Sequence, residues 1–395
     1  MIARRRLLGT AAALAASRAH ADPLPIVIGA PNSLTGGLGE SGRQVVNGLT
    51  IAIDAINACG GIKRLGGARL AVLPADTSSD NPQQAASVTR RLISEGRAVG
   101  LVGAHTSTMT LSAQIEAERA SVPIVTTSYA DQIVQRGFRF TFKLPPQASS
   151  FAAANVEYLQ RLFADAGRPL RKVAVFYGTD AANTAAGRAT IGLLQGAGLE
   201  LAATGVIPSP MTDPTPVVRP AREARPDLLI AHLFTPDMIL VVHALRAVGL
   251  MLPVLTSGSG VTLRSVPEGL GNEADGFMGT VAWNSDLAIE GVPAFLDAFR
   301  ARYPDQPFAP QEAGEGYAAG QLFGQAIEAA GSAEPVAIRD ALASISVRTV
   351  MPGGPIRFDA AGLNRSSEPI LVEWQNGKLR TIWPKQYQTV PPLLR

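Results

Sequence analysis

The chain has 395 residues, of which 46% are hydrophobic, 17% charged and 6% aromatic, with one cysteine and a formal net charge of +3. That length suits two domains of ordinary size, a single cysteine excludes an intramolecular disulfide, and the absence of a Lys/Arg-dense stripe with interleaved aromatics argues against a nucleic-acid partner. No apolar run approaches the ~20 residues a membrane-spanning helix needs.

At the N-terminus, Arg4, Arg5 and Arg6 precede an alanine-rich apolar stretch over residues 7–16, and Ala19-His20-Ala21 forms an A-x-A site that leaves Asp22 as the first mature residue. This is the pattern of an export signal. The three arginines, the mildly apolar core and Arg18 favour the twin-arginine route over general secretion. Cleavage removes four arginines and no acid, taking the formal charge from +3 to −1. The mature protein is therefore expected to be soluble and periplasmic, with no dependence on disulfides and with Cys59 too far from Asp22 for lipid attachment.

Residues 26–62 run from an apolar strand through a Gly-rich loop into a helix, in which Val45, Leu49, Ala52 and Ile56 recur at the spacing of one buried face. A strand feeding a helix in this way opens a parallel α/β sheet. Gly37, Gly39 and Gly42 spell the dinucleotide fingerprint G-x-G-x-x-G, but residues 31–36 separate it from the strand and Asp76 comes too late to hold a ribose. The glycines read instead as a rim loop, and no cofactor is expected.

Strands follow at 69–73, 99–103, 122–126 and 138–142, with helices at 82–94 and 109–119 between the first of them. A second βα series comprises strands at 172–177, 227–233 and 253–256, with a helix at 237–248. Pro145-Pro146 separates the two series, residues 258–276 are loop-rich with room for a short helix, and Pro352-Gly353-Gly354-Pro355 punctuates the late chain. A strand over 275–283 and a helix over 312–330, with Tyr317, Phe323 and Ile327 on its apolar face, are expected to return the chain to the first lobe. Asn376-Gly377 marks a hairpin between strands at 370–374 and 379–383, and the Pro-rich end reads as irregular. The fold class is thus α/β: two Rossmann-like lobes with parallel-sheet cores joined by a three-crossover hinge. The expected division is a signal peptide at 1–21, lobe I at 22–144 plus 276–351, lobe II at 145–275 plus 352–384, and a tail at 385–395.

Catalytic signatures are missing from the sequence. Ser259 lies in Gly258-Ser259-Gly260 without the spacing of a nucleophile elbow. After residue 21 the histidines are His105, His232 and His243, and neither H-E-x-x-H nor a Cys/His cluster occurs. An exported hydrolase is disfavoured, and neither enzyme activity nor a metal is expected.

The segments IVIGAPNSLTG, AIDAINACGGI, GLVGAHTST, VPIVTTSYA, RPDLLIAHLFTPDM, ADGFMGTVAWN and GYAAGQLFGQAIEAAGS follow one another in an order and spacing that resemble the leucine/isoleucine/valine-binding protein family. These are type I periplasmic binding proteins, the solute-binding proteins of ABC transporters, and the resemblance covers essentially all of the mature chain. It implies two lobes that close on a small amino acid, amide or carboxylate by hinge motion, and an inner-membrane ABC permease that recognises the closed form. A ligand-sensing receptor for a membrane signalling protein is the alternative.

The resemblance also implies binding positions. The serine that holds a ligand carboxylate corresponds to Ser107, next to Thr106. A hydroxyl and free N–H groups at a helix N-terminus attract an anion on physical grounds alone, although capping the helix is the competing role for either residue. The next positions fall on Thr127 and Tyr129, with Ser128 between them, where the ligand's amino and carboxylate groups are received; Tyr129 replaces the usual threonine. The aromatic lid positions fall on Ser41 in the first lobe and Phe234 in the second. The acid that pairs with an α-ammonium group falls on Ser259, which carries no charge. A desolvated ammonium without its partner costs ~3–5 kcal/mol. A free α-amino group on the ligand is therefore expected to be optional unless Asp180, Asp237, Asp131 or Glu40 substitutes; Asp180, after Phe176-Tyr177-Gly178-Thr179, is placed either to face the cleft or to cap a helix.

Overall fold

A computed structural model describes residues 24–394 of the chain, so the expected export signal lies outside the described residues. The chain begins with β1 (Ile26–Asn32), α1 (Gly39–Ala58), β2 (Leu70–Asp76), α2 (Pro82–Ser94), β3 (Gly100–Val102), α3 (Ser107–Ala120), β4 (Ile124–Thr126) and β5 (Thr141–Lys143). These strands form a parallel sheet in the order β2-β1-β3-β4-β5.

There follow α4 (Ala148–Asp165), β6 (Lys172–Gly178), α5 (Ala181–Gly196), β7 (Glu200–Ile207), α6 (Thr215–Ala224), β8 (Leu228–His232), α7 (Thr235–Ala247), β9 (Val254–Ser257), the short α8 (Ser259–Thr262) and α9 (Ser265–Leu270), and β10 (Met278–Val281). Three more helices, α10 (Val292–Arg302), α11 (Gln311–Ala330) and α12 (Pro335–Ser344), precede the hairpin of β11 (Ile370–Gln375) and β12 (Lys378–Trp383). The second sheet runs β12-β11-β10-β9-β8-β6-β7, a parallel core from β10 to β7 extended by β11, antiparallel to β10, and by β12, antiparallel to β11. Its central strands are continuous buried apolar runs, Val173 to Phe176 and Leu228 to Ala231, as expected of strands covered on both faces.

Two expected boundaries fall later than the sequence suggested. Met278–Val281 does not return to the first lobe; it pairs in parallel with β9, because one more turn of βα winding through α8 and α9 places it in the same sheet. Nor does the Pro-Gly cluster at 352–355 leave the first lobe. The chain stays beside β5, where the Lys143 N–H donates to Gly362 O at 2.7 Å and the Asn364 N–H donates to Lys143 O at 3.1 Å. β7 was not anticipated: it is an edge strand in which exposed and half-buried residues outnumber the buried Gly205 and Ile207, so no buried apolar run announces it. The tail has no regular element but is anchored, with Leu393 and Leu394 donating N–H groups to Glu373 at 2.8 and 3.2 Å.

Between its second and third crossings the chain docks α11 against α1, and glycines set the separation of the two helices. A methyl group added at Gly48 would lie 1.9 Å from the Ala313 carbonyl oxygen, and one at Gly316 would lie 2.1 Å from that of Val45. Alanine is favoured over glycine inside a helix by about 1 kcal/mol. Forcing two buried helices apart costs about 1–3 kcal/mol or more, so the clash wins. Gly48→Ala is expected to lower the urea midpoint by an amount equivalent to about 1–3 kcal/mol with an unchanged m-value; a rise in the midpoint would show that the helices do not approach this closely.

Candidate ligand-binding site

In parallel α/β sheets the strand carboxyl ends and the helix N-termini that follow them converge on one edge, where backbone N–H groups are free and ligands bind. Both sheets direct that edge at the same cleft. β3 leads through His105 and Thr106 into α3, β4 ends at Thr127 to Tyr129, β6 ends at Asp180, β8 at Leu233 and Phe234, and β9 at Ser257. Together with Glu312 and Glu315 of α11, residues from each of these strand ends, Thr127 and Tyr129 but not Ser128 among them, line a small cavity. Thr108 Oγ1 donates to Asp180 across the cleft at 2.7 Å, Thr262 donates to Glu312 at 3.1 Å, and Arg264 lies 3.7 Å from Glu40, so the lobes meet around the cavity.

The start of α3 divides the two roles the sequence left open. Thr106 is the cap, its hydroxyl accepting the Met109 N–H at 3.4 Å. Ser107 is thereby relieved of capping. Its oxygen accepts the N–H groups of Tyr129 at 3.2 Å and Ala130 at 3.0 Å, leaving its proton for a ligand. Next to it, Thr127 Oγ1 and His105 Nε2 are buried without a partner, and His105 sits at φ +60°, a conformation uncommon outside glycine that tends to persist at functional sites. Burial pulls the His105 imidazole down to about 4, so it is neutral at physiological pH.

Other expected residues are placed elsewhere or do other work. Ser128 turns away from the cavity and donates to His105 O at 2.8 Å, fixing the loop on which His105 sits. Ser41 is buried in α1 and does not line the cavity. Phe234 does line it. Ser259 opens α8, and its side chain lies outside the described part of the structure. Among the candidate acids, Asp180 lines the cavity while also capping α5 through the Ala182 N–H at 2.8 Å. Asp237 accepts the Met211 N–H at 2.8 Å and Asp131 the Ser149 N–H at 3.1 Å, while Glu40 faces Arg264.

Glu312 and Glu315 were not singled out in the sequence, where their helix was read for its apolar face. Each is only 1% exposed. A signal was nevertheless present: two acids three residues apart among Ala313, Gly314 and Gly316, whose small side chains permit close packing on both sides and leave no room for water. Burial pushes Glu312 up to about 7 against the hydrogen bond from Thr262. Burial first, and the charge of Glu312 second, hold Glu315 well above the ordinary carboxylate range, against a hydrogen bond from the Tyr129 phenol at 3.1 Å and the nearby Lys143. Lys143, itself lowered to about 7 by burial, donates to the carbonyls of Ser128 and Pro146 and does not line the cavity. The lining of the cavity thus combines hydroxyls and a helix N-terminus with carboxyls and with the apolar Leu233 and Phe234.

Two helix-flanked lobes enclosing a small polar cavity at their strand ends define a solute-binding protein. Residues 25–378 match the family described as Periplasmic binding protein, and the chain belongs to that family. Among curated proteins it is 26% identical to Leu/Ile/Val-binding protein homolog 7 of Brucella abortus over 389 residues, covering 95% of this chain and 96% of that one. The fold is shared with the leucine-binding protein LivK of Thermotoga maritima, at a TM-score of 0.79 and 21% identity, covering 90% of this chain and 97% of that chain. It is shared also with LivJ of Streptococcus pneumoniae in complex with isoleucine (TM-score 0.80, 23% identity, 91% and 100% coverage). A solute-binding protein of R. palustris in complex with benzoate is similar as well (TM-score 0.79, 20% identity, 94% and 98% coverage).

Raised carboxyl pKa values make the ligand-free fold sensitive to alkali. The native state holds the Glu312 proton more tightly than the unfolded chain does, so the stability this contributes is full below about 4.5 and is lost as the pH rises through about 7. The shift corresponds to at most about 3 kcal/mol. Glu312→Gln is therefore expected to raise the melting temperature of the ligand-free protein by a few degrees at pH 8 and to change it little at pH 5. An equal change at both pH values would show that the Glu312 carboxyl titrates in the ordinary range.

Proposed function

We propose that the protein is exported, captures a small amino acid, amide or carboxylate between its lobes, and delivers it to an inner-membrane ABC permease of the branched-chain amino acid type. The observation that carries this reading is the set of unclaimed hydrogen-bonding groups in the cavity: the Ser107 proton, Thr127 Oγ1 and His105 Nε2, beside the free N–H groups of α3. Buried polar groups are rarely left without partners, and a ligand carboxylate at a helix N-terminus would satisfy several of these at once. Isoleucine and benzoate, bound by two proteins of the same fold, have in common a carboxylate on a compact apolar body. Leu233 and Phe234 offer the apolar contact such a body needs. No chemical step is required of the site.

The test is a thermal-shift screen of the chain starting at Asp22 against amino acids, their deaminated acids, amides and aromatic acids. A ligand at ~1,000 times its dissociation constant adds ~4 kcal/mol, a shift of several degrees. Ser107→Ala and Thr127→Val are each expected to weaken the best ligand by about tenfold or more, since each removes a hydrogen bond to a charged group; full affinity in both variants would place the carboxylate elsewhere.

Export has its own readout. The periplasmic form is expected to begin at Asp22, and exchanging Arg4, Arg5 and Arg6 for lysine is expected to leave the precursor in the cytoplasm. Continued export of the lysine variant would point to general secretion instead.

A further inference from the structure

We propose that the Ser257 hydroxyl is a hydrogen-bond donor presented to the ligand by the second lobe, and that His232 is the positioning residue that keeps its proton free for this contact. The proposal rests on the solute-binding reading above and adds to it a polar contact from β9.

Behind the cavity wall, side chains from separate elements form one hydrogen-bonded chain: Thr190 of α5, His232 of β8, Ser257 of β9, Asn155 of α4 and Thr280 of β10. Thr190, His232, Asn155 and Thr280 are each 0% exposed, and Ser257 alone of the chain lines the cavity. Thr190 Oγ1 lies 2.9 Å from His232 Nε2, and His232 Nδ1 lies 3.0 Å from Ser257 Oγ. From the other end, Thr280 Oγ1 donates to Asn155 Oδ1, and Asn155 Nδ2 donates to Ser257 Oγ at 3.2 Å.

The two threonines set the direction in which protons are passed along this chain. Among the described residues each of these hydroxyls has a single partner, His232 for Thr190 and Asn155 for Thr280. A hydroxyl that only accepted would leave its own proton buried and unpaired, which costs ~1–3 kcal/mol. Both threonines therefore donate. Burial pulls the His232 imidazole down to about 3, so the ring is neutral and carries one proton. With Nε2 accepting from Thr190, that proton sits on Nδ1 and is donated to Ser257. Thr280 orients the Asn155 amide in the same way, with its oxygen toward Thr280 and its nitrogen toward Ser257.

Ser257 Oγ thus accepts two N–H groups, which fill its two lone pairs. Its own proton has no acceptor among the described residues, and the open side of the residue is the cavity. In the other tautomer Ser257 would donate to the ring and have nothing left for a ligand. A hydroxyl with both lone pairs taken meets an acceptor oxygen and is a poor match for an N–H or ammonium group. The β9 wall therefore selects for a carbonyl or carboxylate oxygen.

The experiment uses the chain from Asp22 and has two readouts. Long-range proton–nitrogen NMR of protein labelled with nitrogen-15 histidine, at pH 7, reads the tautomer; the His232 signals are those lost in His232→Asn or His232→Leu. A protonated Nδ1 and a bare Nε2 are expected, and a proton on Nε2 overturns the proposal. Calorimetry with the twenty protein amino acids, benzoate, 4-methylpentanoate and 4-oxopentanoate then finds the tightest-binding probe, which is titrated into the variants. Ser257→Ala is expected to weaken it by about tenfold, and His232→Leu by a similar factor. His232→Asn, which keeps an N–H for Ser257, is expected to restore most of the affinity. The double variant Ser257→Ala/His232→Leu is expected to bind no more weakly than Ser257→Ala alone, because His232 acts through Ser257. A merely structural histidine would give additive losses and no rescue by asparagine. Unchanged affinity in Ser257→Ala overturns the proposal while the solute-binding reading survives, since the probe still binds; if none of the probes binds, both fall. Should His232→Leu fail to fold, the tautomer of the unaltered protein and the affinity of Ser257→Ala decide the matter.

Discussion

The close approach of α1 and α11 is the contact on which the rest of the cleft depends. The two helices come from opposite ends of the chain, and α11 reaches the first sheet only after the chain has built the parallel core of the second. Glycines remove the side chains that would hold them apart, with Gly48 against Ala313 and Gly316 against Val45. Two further glycines lock the same helix from other sides: a methyl at Gly100 would lie 2.2 Å from the Phe323 ring, and one at Gly314 would lie 2.4 Å from the Trp283 ring. With contacts at this range α11 has little freedom to rotate or slide. The direction of its first turn, and so of Glu312 and Glu315, is fixed by backbone packing far from the cavity itself.

That fixed direction carries an energetic penalty. A buried ion pair is seldom better than well-packed apolar residues, and unbalanced buried carboxyls are worse. The fold keeps two of them side by side, with one hydroxyl donor each. Departures from local consistency of this kind are tolerated in a domain where the surrounding structure is over-determined, and they concentrate where a protein meets its ligand. The unpartnered His105 Nε2 and Thr127 Oγ1 and the positive φ at His105 belong to the same pattern, in the lining of the same cavity.

Much of the architecture could be read from residue order. The strand, loop and helix over residues 26–58 stand where their periodicity puts them, because Val45, Leu49 and Ala52 face the core at helical spacing. Ser107 was implied by the family resemblance, and local chemistry agreed, because a hydroxyl at a strand-to-helix junction is legible without tertiary information. What could not be read depended on contacts between distant segments. β10 looks the same from sequence whether it joins the first or the second sheet. The edge strand β7 lacks the apolar run that marks the central ones. Glu312 and Glu315 have the composition of an exposed helical turn, and only the glycine-mediated docking onto α1 turns that face inward. The acids weighed from sequence lay near strand ends or helix starts in the chain, whereas the cavity recruits its glutamates from a helix far along it: Glu315 accepts the hydroxyl of Tyr129, in the β4–β5 connection, at a sequence separation of 186.

The division of labour between the lobes has a consequence for the order of events. The helix start at Ser107, the loop at Thr127 to Tyr129 and, through α11, both glutamates all belong to the first lobe. The second contributes Leu233, Phe234, Ser257 and Asp180. On the proposed reading, the first lobe already holds the hydroxyls and helix N-terminus that would receive a carboxylate, and the second lobe closes over the rest of the molecule with a mixed surface that includes Asp180, Asn183, Leu233, Phe234 and Ser257. Charge would then be inspected while the cleft is open and side-chain shape only as it shuts, so a molecule of the right charge and wrong bulk would be turned away late, at closure, through the stability of the shut state.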